Sequence, residues 1–385
     1  MEYRLSDLFN LQMGKTPSRN ISSYWTSGKY SWISISDLNN DKYINKTKEK
    51  ISIEAVKKSG IKVIPANTVI MSFKLSIGKT AITSQDMYSN EAIMAFINKN
   101  KVKLSKDYIY YLLQSINWNT NKAVKGKTIN KSIISATKVN IPSYKEQLKI
   151  AKILDTLIRR LNSKQNQLKK LDELIKARFV EMFGDPANPI NIWDPEKLGK
   201  ICILNPKKEK KLENDDLDVS FVPMSAVSEN GAINTTKVKK YSEVKKGFTY
   251  FLENDVLFAK ITPCMENGKG AVAIGLKNKK GFGSTEFHVL RPIKGKSNPY
   301  WLYTLTSFQS FRKLAELNMT GSAGQKRVPI KFLQNYKVVV PPISLQNEFA
   351  NFVQQVDKSK FENIVYLNKT LSRKILSQIG DVIRD

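Results

Sequence analysis

The sequence repeats itself once, at a period of about 190 to 200 residues, which calls for two copies of one domain and not a solenoid of short units. Leu5, Leu8 and Leu11 match Leu198, Ile201 and Leu204. SWISISDL from Ser31 matches SFVPMSAV from Ser220, and NTVIMSFKLSIGKTAI from Asn67 matches NDVLFAKITPCMENGKGAV from Asn254 with a three-residue insertion. YIYYLLQS from Tyr108 matches YWLYTLTS from Tyr300. INKSII…VNIPSYKEQ from Ile129 matches VPIKFL…VVVPPISLQ from Val328. Five blocks in the same order identify a duplication.

Each half predicts short β-branched or alternating strands broken by Gly, Asn and Pro turns: Trp32–Ile35, Val69–Phe73 and Ala92–Ile97, then Phe221–Met224, Val256–Ala259 and Phe287–Leu290. A helix around Tyr108–Gln114, or Tyr300–Thr306, interrupts them. Each half then ends in an apolar run and a proline, Pro142 or Pro341, after which the pattern changes. From Glu146 to Phe183, Ile150, Leu154, Leu157, Leu161, Leu168, Leu171, Ile175 and Met182 follow mostly 3–4 spacing, with Lys164 and Arg178 as polar breaks. From Gln346 to about Ile383 the stripe is Phe349, Phe352, Val356, Ile364, Leu367, Leu371, Ile375 and Val382. Gly184 and Gly380 end or interrupt these helices. Rods this long predict pairing with each other. The expected fold class is α+β: two duplicated mixed α/β domains at 1–143 and 185–343, separated by long antiparallel coiled-coil helices at 144–184 and 344–385, about a pseudo-two-fold axis.

A net charge of +29 implies a polyanionic partner. With 53 lysines against ten arginines, part of that excess is a compositional skew, so its position matters. Residues 1–143 carry +13 and 185–343 carry +10, against +5 for 144–184 and +1 for 344–385; the charge follows the modules. Cys202 and Cys264 are the only cysteines and form no CxxC pair, which argues against a disulfide framework or a zinc site. The opening MEYRLSDLF is charged and amphipathic, with no apolar core of signal-peptide length, and no apolar run approaches the roughly 18 residues of a membrane span. The expected location is cytoplasmic.

Several features resemble a type I restriction-modification specificity subunit. They are MGKTPSR followed by YWTSGKYSWISISDL, then DVLFAKITPCMENGKGAV and GSAGQKRVPIKFL, with PSYKEQLKIAKILD and PPISLQNEFANFVQQVD opening the two helices. The resemblance covers essentially the whole chain; ILNPKKEKK replaces the GKTPSR pattern in the second half. It implies two target-recognition domains reading the halves of a split DNA site, with the helices as spacer and docking surface. It also implies partner methyltransferase subunits, two of them, that bring S-adenosylmethionine and methylate adenine. A motor–nuclease subunit is a further partner it allows.

No catalytic chemistry is expected in the chain itself. SIGKT at Ser76–Thr80 has Phe73 where a phosphate-binding loop needs its first glycine. SNPYW at Ser297–Trp301 lacks the second proline of an NPPY motif and reads as a helix start with Ser or Asp capping. DPEK at Asp194–Lys197 lacks an upstream acidic partner, and His288, the single histidine, reads as a strand residue with a structural or base-contacting role. No cofactor is expected in this chain.

The candidate DNA-facing residues are basic, hydroxyl and amide groups in glycine-flanked loops at matching places. Lys125, Lys127 and Thr128 in VKGKT answer Ser322, Gln325, Lys326 and Arg327, where Gly321 and Gly324 let backbone approach phosphate. Lys74, Ser76 and Lys79 form a second group with Lys260, Thr262 and Lys269; Lys15, Thr16 and Arg19 form a third. Their recurrence suits phosphate holding or local structure better than base reading. Arg19, Arg327, Gln325 and Asn90 carry donors that suit guanine or adenine edges.

Overall fold

Strands apolar on both faces belong inside a layered structure, and each half of the chain builds one. The computed structural model describes residues 1–385 except 27, 40, 119–120, 124–125, 191, 209–213, 323 and 385; for 121–123, 126–128 and 366–384 it describes backbone alone. Packing divides the chain into Met1–Leu161 and Asn162–Asp385.

In the first unit a sheet runs in the order Phe9–Met13, Ile93–Asn98, Val69–Ser72, Thr80–Thr83, Tyr43–Ile44. Val69, Met71, Met94 and Phe96 face the helix Lys106–Ser115, meeting Tyr108, Ile109 and Leu113. Ile70, Ile93 and Ala95 point the other way, onto Ile33 of a smaller sheet, Glu49–Ile51, Tyr30–Ile33 and Tyr88–Ser89, and onto Met87, which bridges to Ile64 just before the last of those strands. Glu2–Arg4 pairs with Lys138–Asn140, bringing the start and end of the module together.

The second unit repeats the plan. Cys202–Leu204, Phe287–Pro292, Val256–Ala259 and Gly270–Val272 form its main sheet, and Pro195–Lys197 pairs with Lys337–Val339. Val256 and Phe258 pack on Trp301, Leu302 and Leu305, while Leu257 and Ala259 face Val222 and Phe251. The register agrees residue for residue: Leu11 lies opposite Phe96 as Leu204 lies opposite Leu290, and Val69 opposite Ile82 as Val256 opposite Val272. Asn67 and Asn254, which open the matched strands, are both left-handed, with φ of 61° and 69°.

Of the six expected strands Val256–Ala259 matches at both ends, and two others stop two residues earlier than expected. The strand near Trp32 is Tyr30–Ile33, and Ile35 begins the 3₁₀ turn Ile35–Asp37. The Asp37 carboxylate accepts from the Ser34 and Lys48 backbone N–H groups, at 2.8 and 2.9 Å, and draws the chain out of the sheet. In the second module Pro223 leads into the same kind of turn at Met224–Ala226. The helix Gln309–Leu317 adds an element that the sequence pattern did not predict.

The long helices are Tyr144–Phe183 and Ile343–Arg384, 40 and 42 residues, or about 60 Å each at ~1.5 Å per residue. Within the second unit they run antiparallel. Lys164 donates to Asn363 at 2.8 Å, Lys360 meets Asp172 at 2.7 Å, and Arg178 meets Glu348 at 3.0 Å. The polar breaks in the first stripe are thus contacts to the other helix. Ile175, Phe179 and Phe183 bury against Phe349, Val353 and Val356. Ile364 is 43% exposed, so the expected stripe on the second helix drifts off the seam there. Gly184 follows the first helix at φ 81°, as expected of a terminator, whereas Gly380 lies inside the second. An interior glycine costs only about 1 kcal/mol relative to alanine.

Candidate nucleic-acid interface

In the first module the Lys15–Arg19 loop is held by its own candidates. A Cβ on Gly14 would stand 2.2 Å from the Ser89 and Asn90 carbonyls, so only glycine lets the loop close on that strand. Lys15 donates from Nζ to the Ser59 carbonyl at 2.6 Å, and Thr16 donates to Glu91. Arg19 forks onto Glu49, whose pKa it lowers, and lies 3.7 Å over the Trp25 ring. Lys74, Ser76 and Lys79 occupy the hairpin between Val69–Ser72 and Thr80–Thr83, turned by Gly78 at φ 85°. Lys79 is exposed; Lys74 is half-buried with its ammonium 5.5 Å from the Phe73 ring. Asn90 accepts from the Ala92 N–H at 3.1 Å. Lys125 lies outside the described residues. Lys127 and Thr128 belong to a backbone hairpin, Gly126–Thr128 on Asn121–Ala123.

In the second module two of the predicted groups converge. The Thr262 N–H donates to the Lys326 carbonyl at 3.0 Å, and the Val328 N–H to the Lys260 carbonyl at 2.9 Å. The loop 320–327 closes through paired Thr320 and Arg327 backbones, with Gly321 and Gly324 at φ 122° and 80°. Its tip exposes Ser322, Gln325 and Lys326. Arg327 instead lies along the surface and grips Glu286 with two bonds of 2.9 and 2.7 Å, holding that carboxylate's pKa below its usual range. Lys269 stands apart, donating to Met224 O at 3.3 Å, and Thr262 bonds Glu266 at 2.8 Å.

His288 fixes the same loop from beneath. Asn205 Oδ1 accepts from the Val289 N–H, so its Nδ2 donates to His288 Nδ1 at 3.1 Å. Nε2 then carries the proton and donates to the Val328 carbonyl at 2.8 Å. Burial lowers the imidazole pKa, and the ring is 5% exposed; it acts as a strut, not a base contact. SNPYW opens the helix Pro299–Ser307, but its cap is Asn298, accepting from Tyr300 N at 2.9 Å. Ser297 is turned to the Ile201 carbonyl at 2.6 Å, which is why it does not cap.

The strongest duplicated side-chain device was not among the sequence candidates. Gln147 and Gln346, both 0% exposed, stand at the heads of the long helices. Gln147 accepts from Ser105 N at 2.9 Å and donates to Lys103 O and Pro142 O at 3.2 and 3.0 Å. Gln346 accepts from Asn298 N at 2.9 Å and donates to Lys296 O and Pro341 O at 3.1 and 2.9 Å. The signal was present: both glutamines occupy the same place in the last repeat block.

The sequence profile of the type I restriction modification DNA specificity domain matches twice, at residues 1–173 and 191–373. The chain belongs to this family. Among curated members of the specificity-domain family, it is 34% identical over 228 residues to the EcoEI specificity subunit of Escherichia coli, covering 58% of this chain and 36% of that one. It is 36% identical over 220 residues to the EcoAI specificity subunit of Escherichia coli, covering 55% and 37%. The chain thus spans about a third of the length of these two relatives. The MjaIX specificity subunit of Methanocaldococcus jannaschii is matched over 99% of this chain and 90% of its own, at 23% identity. The fold is shared with the type I S subunit from M. genitalium, at TM-score 0.53 and 15% identity, covering 100% of this chain and 94% of that one. A chain from a study of complex assembly in the type I R-M system gives TM-score 0.56 at 15% identity, covering 100% and 96%. Among the described residues no helix is long and apolar enough to cross a membrane, and no cluster of His, Cys, Asp and Glu is arranged to hold a metal.

Proposed function

We propose that this chain is the non-catalytic, sequence-reading subunit of a type I restriction-modification complex. The modules at 1–143 and 185–343 each read one half of a bipartite DNA target. The helices at 144–184 and 344–385 space them and dock two methyltransferase subunits, in which S-adenosylmethionine is bound; motor–nuclease subunits are further partners. The observation that carries this reading is the double family match laid over two copies of one sheet in the same register. In the second module the exposed tip at Ser322, Gln325 and Lys326, beside Lys260, is the part best placed to meet DNA. Lys15, Thr16, Arg19, Thr262 and Arg327 serve by holding their loops. The test is methylome sequencing of a host carrying this chain with its methyltransferase partner. One two-part adenine-methylated motif with a fixed gap is expected. Undivided motifs, or methylation independent of this chain, would reject the reading.

A further inference from the structure

We propose that the second module holds one DNA backbone phosphate in a cleft that the first module has closed; this rests on the DNA-reading role above. The cleft measures about 330 Å³, with Lys208, Lys245 and Lys260 at its wall and the Phe248 and Tyr250 rings lining it. The common register makes the comparison between modules direct. Counting on from the paired Leu11 and Leu204, Gln12 corresponds to Asn205; counting on from Val69 and Val256, Phe73 corresponds to Lys260.

Both positions differ in the sense that opens the second module. Gln12 reaches across to the Lys62 and Val63 carbonyls at 3.3 and 2.9 Å, and Lys15 reaches Ser59 O at 2.6 Å, tying the two sides together. Asn205 is a methylene shorter, adopts φ 47°, and turns inward to His288 and Val289 instead of reaching across. Phe73 is 2% exposed, whereas Lys260 in its place is half-buried and lines the cleft.

The chemistry of the lining selects the ligand. Lys245 is matched by Asp215 at 2.8 Å, but Lys208 and Lys260 form no salt bridge among the described residues. Glu286, whose carboxylate feels Lys260, is taken by the Arg327 fork. Two ammonium groups with no carboxylate of their own among the described residues, Lys208 meeting only the Tyr241 ring at 4.7 Å, call for an anion. Among the described residues Asn205 is the only amide side chain lining the cleft, and its bonds to His288 and Val289 hold it turned inward, which sets it poorly to read a base edge. A phosphodiester between the ammonium groups, with its deoxyribose against the exposed Phe248 ring, satisfies the site.

The experiment titrates salt against binding of the full chain to a 30-base-pair duplex and to its single strand. Lys208→Ala with Lys260→Ala should weaken duplex binding about tenfold at 0.1 M salt and flatten the log–log salt slope by about 0.9 for the lost phosphate. Phe248→Ser should weaken binding with the slope kept. The control pair Lys294→Ala with Lys313→Ala, on the same module away from the cleft, should leave the slope unchanged. An unchanged slope in the first pair, or an equal change in the control pair, overturns the site. Effects confined to the single strand would make it a base-stacking platform and equally overturn it. Failure of the wild-type chain to bind duplex in any salt would instead reject the DNA-reading role.

Discussion

At the scale of single residues, charge and hydrogen bonding decide which candidates remain available to a partner. Since His288 is the only histidine, its ring can be followed by imidazole-selective NMR without assignment. We expect the Nε2–H tautomer, neutral at pH 7, with a pKa below the usual 6.5 because burial disfavours the cation. The folded state then binds fewer protons than the unfolded one. Stability tied to this ring is full above the unfolded pKa of about 6.5 and declines as pH falls toward the depressed folded value. A pKa above 6.5 would contradict the strut. Lys326→Ala should weaken all duplexes alike and lower the salt slope by about 0.9, as loss of a phosphate contact does; a switched target motif would make Lys326 a base reader. The sequence could not rank Arg19 and Arg327 against Lys326. The carboxylates that occupy the two arginines, Glu49 and Glu286, lie 30 and 41 residues away and reach them only through the fold.

At the scale of elements, strands and long helices were legible because their patterns are set by burial on known periods. Residues 69–71 and Val256–Ala259 are apolar throughout since both faces are covered. The first long helix shows its seam in 3–4 spacing, with Ile175 buried on it, although Phe179 and Phe183, buried beside it, lie off the expected stripe. Gln147 and Gln346 were not legible as buried residues, because a glutamine in the first turn of a polar helix usually faces water. Only the return of the Lys103–Ser105 and Lys296–Asn298 segments covers them. Removing either should strand buried backbone groups, at about 2–3 kcal/mol for Gln147→Ala or Gln346→Ala in urea unfolding. Glutamate should do no better, since a carboxylate cannot donate to the two carbonyls. A cost under about 0.5 kcal/mol in both would show the contacts to be incidental. Between the helices, Lys360 bridges Asp172 and Asp357 at 2.7 and 2.9 Å with 16% of its side chain exposed. Burial disfavours its charge, but the two carboxylates outweigh this and raise its pKa. Lys360→Ala should destabilise the pair by about 1–3 kcal/mol, less than a fully buried ion pair because both aspartates are partly solvated. Unfolding of Lys360→Ala and Asp172→Asn, alone and together, gives the coupling; additive losses would remove the bridge as a determinant of register.

At the scale of the whole molecule, the first long helix passes from one compact unit to the other at Leu161–Asn162 without a break. Four residues inserted after Leu161 should lengthen it by ~6 Å and turn its downstream half by about 40° beyond a full turn. If the variant folds, methylation mapping should show both half-sites retained and the gap increased by about one or two base pairs, at ~3.4 Å each. A folded, active variant with the original gap would leave the helices no part in spacing. The duplication was legible because both copies keep the same strand order and register; the cleft proposed in the second module was not, since it turns on two exchanges, Gln12 for Asn205 and Phe73 for Lys260, whose alignment only the shared register shows. The glutamine sockets carry a further consequence. Every partner of Gln147 and Gln346 is a main-chain atom, so each joint recognises a path of backbone and is blind to the side chains a module displays. On the DNA-reading role proposed above, a module's displayed surface could therefore change, or another module take its place, and the same shaft would still seat it. A new specificity would then require no change at the joint.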